Sequence, residues 1–169
     1  NREKYSNIFK GHLNYFIKKE YKKIIINRIF KSIFDNDEKK IVKNFYLKEG
    51  QIKEMSNNNM VIGSHSVSHN LLSEIKMKTW KKEIDNSFDY LSQFYKNKTF
   101  SYPYGGYQSF NHKIKKYLKK SKVSFSVNVE SRNIIKKDIV EHRQTLPRYD
   151  CNEFPYGKIK NYNDKGNFF

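Results

Sequence analysis

Apolar residues recur at two different periods along the chain. Over residues 11–34, Phe16, Tyr21, Ile24, Ile25, Ile29, Ile33 and Phe34 stand among lysines at spacings that give a broad apolar stripe on a helix. Asp35-Asn36-Asp37 then offers a break and a cap, with Glu38 in the first turn of a second short helix reaching Phe45. Residues 51–56 read as a further short helix, ended by Asn57-Asn58-Asn59. The pattern predicts a mainly helical segment over 1–48, used for packing or as a lid.

Beyond it the pattern alternates between short apolar runs and helical spacing. Met60-Val61-Ile62, closed by Gly63, suits a buried strand. Over 76–95, Trp80, Ile84, Phe88, Leu91 and Tyr95 recur every three or four residues, predicting the longest helix. Thr99-Phe100-Ser101-Tyr102 reads as a strand, and Pro103-Tyr104-Gly105-Gly106 as the turn leaving it. Ile114, Tyr117 and Leu118 mark a helix over about 109–120, and Val123-Ser124-Phe125-Ser126-Val127 alternates as a strand does. Strand–helix–strand–helix order implies an α/β domain with parallel pairing and helices outside. After Ile135, Pro147, Pro155, Gly157 and Gly166 predict a loop-rich closure and a frayed end.

Composition changes this picture only in part. At 169 residues the chain suits one domain with one core. Its 13 Phe and 13 Tyr point to rings as a large share of the buried area. Lys and Arg number 34 against 17 Asp and Glu, a net charge of +17 that favours polyanions without choosing among them. Arginine is scarce (Arg2, Arg28, Arg132, Arg143 and Arg148), and bidentate recognition of phosphates or bases favours Arg, so nucleic acid is not the favoured partner. Cys151 stands alone, which excludes an intrachain disulfide and a thiolate-rich metal site; it is expected to be buried or inert. No run approaches the roughly 20 apolar residues of a membrane span. The first residue is Asn1 and no signal peptide is visible, so the expectation is a fragment, with a cytoplasmic setting preferred for the visible chain.

His65 and His69 carry the sharpest chemical signal. On one helical turn, side chains four apart share a face, so two imidazoles could converge on one ion; the alternative is two exposed or hydrogen-bonded histidines. They follow a short apolar run and a glycine, and ligands in open α/β sheets collect beyond the carboxyl ends of strands.

The stretch Ile62-Gly63-Ser64-His65-Ser66-Val67-Ser68-His69 resembles the His-Ser/Thr-x-x-His motif of polysaccharide deacetylases, the NodB-homology domain of carbohydrate esterase family 4. Phe100-Ser101-Tyr102-Pro103-Tyr104-Gly105 is similar to that family's Pro-Tyr-Gly segment. The two motifs stand in the family's order and separation, and the resemblance covers roughly 46–130, more weakly to about 157. It implies a partial or deformed (β/α) barrel, with 1–48 as a helical insertion or lid, 49–157 as the deacetylase-like region and 158–169 as a flexible tail. It also implies a divalent metal, zinc first, held by His65 and His69, and an N-acetylated glycan as substrate.

Further roles follow from the same resemblance. Tyr104 matches the tyrosine whose backbone amide helps hold the developing oxyanion, and its ring could line the sugar site or simply pack in the core. Tyr102 and Ser66 would stand near the substrate or behind the metal ligands, Ser66 alternatively as a helix cap. Arg148, in Leu146-Pro147-Arg148-Tyr149-Asp150, would pair with a core carboxylate or hold an anionic glycan. His142 is the candidate general acid, or else a surface histidine.

Two departures stand out. The family's Thr-Phe-Asp-Asp motif, source of the metal-binding Asp and the base, has no match; Phe34-Asp35-Asn36-Asp37 reads as a cap or turn. The arginine usual in the third motif falls at Ser101. A missing N-terminal segment or another chain would then supply the acids. The alternatives are a non-catalytic glycan-binding relative and a basic nucleic-acid-binding protein.

Overall fold

A computed structural model describes residues 2–34, 42–43 and 45–154. Asp35-Asn36-Asp37 and the expected tail over 158–169 lie outside the described residues. The chain divides into two compact units, residues 1–48 and 49–169.

The first unit is helical. α1 spans Arg2–Gly11, a π-helical turn spans His12–Phe16, and α2 spans Lys19–Phe34. The helix expected to run unbroken over 11–34 is thus interrupted at Ile17, whose extended backbone (φ −93°, ψ 128°) ends the π turn. None of the described side chains of this unit is buried; Ile33 and Phe16 are 61% and 78% exposed.

The second unit is a mixed α/β arrangement around a small open sheet. α3 (Glu49–Asn57) leads to a loop, then α4 (Met77–Leu91), β1 (Thr99–Ser101), α5 (His112–Lys120), β2 (Phe125–Val127) and α6 (Lys136–Glu141). β1 and β2 pair in parallel, Phe100 opposite Ser126. Single parallel bridges, Ser64 to Phe100 and Val127 to Leu146, add one segment on each side. Four parallel neighbours in chain order form a partial, unclosed β/α arrangement; the described residues show no closed barrel.

The core follows the helical and strand periods. Trp80, Ile84 and Phe88 of α4 and Ile114 and Leu118 of α5 are buried with Leu72, Phe100, Tyr102, Phe110 and Val123. Phe100 and Tyr102, two apart on one strand face, meet edge to face at 5.4 Å, and Tyr102 stacks on Phe110 at 4.4 Å. Asn111 caps α5, its side-chain oxygen accepting from the Ile114 amide at 3.2 Å. The Tyr117 hydroxyl donates to Asp85, tying α5 to α4. Burial and that carboxylate push the Tyr117 hydroxyl up to about 12.

Three expectations are corrected here. Met60-Val61-Ile62 is not a buried strand: Met60 and Val61 are more than half exposed, and only Ser64 reaches the sheet. The closure after Ile135 contains α6, whose start is held by the Asp138 carboxylate accepting from the Ile135 amide at 2.9 Å. Asp138 also takes a two-pronged grip from Arg132, at 2.7 and 2.8 Å, which holds its carboxyl far below the usual range. Cys151 is exposed rather than buried. Among the described residues no helix is long and apolar enough to cross a membrane.

Candidate metal centre

The carboxyl ends of the parallel segments bring together His65 after Ser64, Ser101 at the end of β1, and Arg148 shortly after Leu146. The His65 Nδ1 lies 2.7 Å from the Ser101 carbonyl oxygen. A carbonyl only accepts, so Nδ1 carries the proton, and in the neutral ring Nε2 keeps the lone pair that a metal would use. The His69 ring stands edge-on to His65 at 4.8 Å and also meets the Tyr104 ring at 4.9 Å.

This pairing does not arise from a helical turn. Residues 65–70 are irregular, and Ser66 (φ 62°) and His69 (φ 51°) both occupy the left-handed region. Each such residue costs on the order of 1–3 kcal/mol unless its surroundings over-determine it. Here the surroundings do so through side-chain oxygens. The Ser66 amide donates to Ser64 Oγ, and the His69 amide donates to Ser66 Oγ at 3.2 Å. The Val67 and Ser68 amides both donate to one oxygen of Glu83, at 3.1 and 2.7 Å. With every amide from 66 to 69 satisfied this way, the segment has no need of a helical ladder.

The second half of the site is shaped by the turn after β1. Tyr104 is left-handed (φ 66°), and so is Gly105 (φ 69°), where a side chain would run into Val129. Glycine is required there, and the turn carries Tyr104 to His69. Tyr102 is placed differently from Tyr104. Its ring is fully buried and its hydroxyl donates to the Gln144 carbonyl at 2.7 Å, which places it in the core. Burial raises its hydroxyl far above the ordinary tyrosine value.

Arg148 reaches back to β1, where its Nη1 donates to Ser101 Oγ at 3.3 Å. Its Nε is buried and has no hydrogen-bond partner among the described residues. A guanidinium therefore stands beside residue 101, though it comes from a segment 47 positions later. His142 is not brought to the histidine pair. It lines a separate basin of about 900 Å³ with Lys115, Lys119, Lys122 and Arg143, and lies 3.8 Å from Glu141. A cavity of about 510 Å³ beside His65 and Ser66 is walled on its far side by Asn86 and Tyr90 of α4.

Residues 27–126 match the polysaccharide deacetylase family. The chain belongs to that family. The match begins well before the first residue of the motif-based resemblance and takes in the second half of α2. No curated protein matches the chain. Membership in the polysaccharide deacetylases gives the chain a deacetylase-type function in general and associates it with glycans.

The metal that this family uses can be tested against the donors present. His65 and His69 offer two neighbouring imidazoles, one with its tautomer set by a backbone carbonyl, as metal-binding histidines require. Among the described residues no group of three or more His, Cys, Asp or Glu could hold an ion. The described residues thus bring two imidazoles together without an acidic third donor. Sequence reasoning passed over Glu83 as a site residue, because its partners are backbone amides 15 and 16 positions earlier.

Proposed function

We propose that this polysaccharide deacetylase hydrolyses N-acetyl groups on a surface polysaccharide or its precursor in a metal-dependent reaction. The observation that carries the proposal is the His65–His69 pair at the carboxyl ends of the strands, with His65 held through Nδ1. His65 Nε2 and the His69 ring would hold a divalent ion, zinc first. When bound, such an ion acidifies a water molecule and polarises the acetamide carbonyl. The Tyr104 amide would face the oxygen that gains charge, with its ring beside the sugar. Ser66 keeps the His69 amide in place. Arg148, with a buried Nε free to donate, would receive the carboxylate that completes the site or an anionic group of the glycan. That carboxylate belongs to a stretch of chain outside the described residues or to a partner chain. No step is assigned to His142.

Metal content after purification without chelator tests this. Near-stoichiometric zinc or another divalent ion is expected in the unchanged protein and should vanish in the His65→Ala/His69→Ala double substitution. Acetate release from N-acetylated glycans should vanish with it. The missing third donor gives the non-catalytic reading a specific basis. Glycan binding that ignores both chelator and the double substitution, with no bound metal, would establish that reading instead.

A further inference from the structure

We infer that Glu83 is the positioning residue of the histidine pair, holding His65 and His69 in a geometry that binds metal. The inference rests on the metal-centre reading above and adds to it the group that sets the centre's affinity.

Glu83 sits on α4 next to Ile84, which is fully buried, and one turn from Trp80 and Ser87. Its backbone is therefore anchored in the best-packed helix of the unit. One carboxylate oxygen accepts from the Val67 and Ser68 amides, and the other accepts from Ser68 Oγ at 2.8 Å and Asn70 Nδ2 at 3.3 Å. Four donors from three residues thus converge on a single side chain, and those residues fill or directly follow the interval between the two histidines. Hydrogen bonds to an ionised acceptor are roughly twice as strong as neutral ones.

Val67 is 60% exposed, and the left-handed residues Ser66 and His69 tend to relax towards ordinary backbone geometry. Beyond Glu83, the loop is held by the Ser64 and Ser66 hydroxyls, by His65 Nδ1 on the Ser101 carbonyl and by the ring contacts of His69 with His65 and Tyr104. Without the carboxylate, the Val67 and Ser68 amides would lose their acceptor and turn to water or to a helical ladder. Either change would swing His69 away from His65. The bonds of Glu83 to Val67, Ser68 and Asn70 let it act through the loop that carries both rings.

The test uses the full 169-residue chain and zinc as the probe. Calorimetric titration compares the unchanged protein with Glu83→Ala, Glu83→Gln and Asp89→Ala, the last removing a carboxylate from the same helix as a charge control. Glu83→Ala is expected to weaken zinc binding by about 10–100-fold, the usual effect of losing a group that orients a ligand. Glu83→Gln keeps one oxygen acceptor and should recover part of the loss. Asp89→Ala should leave the affinity unchanged, and all variants should keep the helical circular dichroism of the parent. Zinc affinity undiminished in Glu83→Ala would overturn the inference, as would an equal loss in Asp89→Ala. Should Glu83→Ala fail to fold, Ser68→Ala and Glu83→Gln carry the comparison in the same way. Should the unchanged chain take up no zinc, the metal reading fails by itself. The imidazole nitrogen shifts of metal-free protein then decide for Glu83: altered His65 and His69 signals in Glu83→Gln sustain the positioning role, and unaltered ones end it.

Discussion

In the first unit, Ile24, Ile33 and Phe34 lie on a 16-residue helix and are 50%, 61% and 44% exposed. In the second, Trp80, Ile84 and Phe88 lie on a 15-residue helix and are 4%, 0% and 5% exposed. Both helices carry an apolar stripe, and the stripe alone does not determine what becomes of it. A helix of this length is marginal in water by itself. In α4 the missing stability comes from packing against Leu72, Phe100 and Ile114; among the described residues of α2 there is no such core. The histidine pair hangs on the second kind of helix, through Glu83 and through the buried contact of Ser64 Oγ with Ser87 Oγ.

The sharpest way to break this comparison is Ile84→Ala. It should cost about 2–5 kcal/mol, because it leaves a cavity in a close-packed core, and urea unfolding would report it as a lowered midpoint. Next comes Asp138→Asn, which removes one of the two acidic partners of Arg132, leaving Glu130, while keeping the shape. The native carboxyl is held below its ordinary value, so its contribution is complete above the unfolded value of about 3.9 and is lost as pH falls through the native one. Unfolding free energies across acid pH should therefore fall less steeply in the variant, with lower stability at neutral pH. The smallest effect belongs to Ile24→Ala in the first unit, within about 0.5 kcal/mol, as for exposed positions generally. Equal costs for Ile24→Ala and Ile84→Ala in the same urea series would abolish the distinction between the units.

Much of the second unit was legible in its sequence. The three-and-four spacing of Trp80, Ile84 and Phe88 marked α4, because one buried face leaves a clear period; the alternation through Phe125 and Val127 marked β2 as a strand, although its buried residue is Ser126 between them. Met60-Val61-Ile62 misled because three apolar residues are too short to carry a period, and the pairing fell to Ser64 instead. α6 escaped notice because its six residues bury only Asp138, a charge paired with Arg132 six positions earlier. At the site, the nearness of His65 and His69 was readable and its cause was not. Nothing in Ser-Val-Ser announces two left-handed residues, since the oxygens that impose them come from Glu83, Ser64 and Ser66. Arg148 was readable as a charge in search of a partner, but its approach to Ser101 depends on how the sheet is wound.

Each contact in the sheet joins segments that are separated by a helix or a long loop: Ser64 with Phe100, Phe100 with Ser126, Val127 with Leu146. Parallel pairing of this kind obliges the chain to close large loops before any ladder bond forms, which makes it slow relative to local helix formation. Assembly of this unit should therefore proceed from α4 and α5 inward, with the strand ends coming into register last. His65, Ser101 and Arg148 all sit at those ends. The histidine pair then gains its final geometry only at the close of folding, so nascent or partly unfolded chains would lack the arrangement that the proposed ion needs.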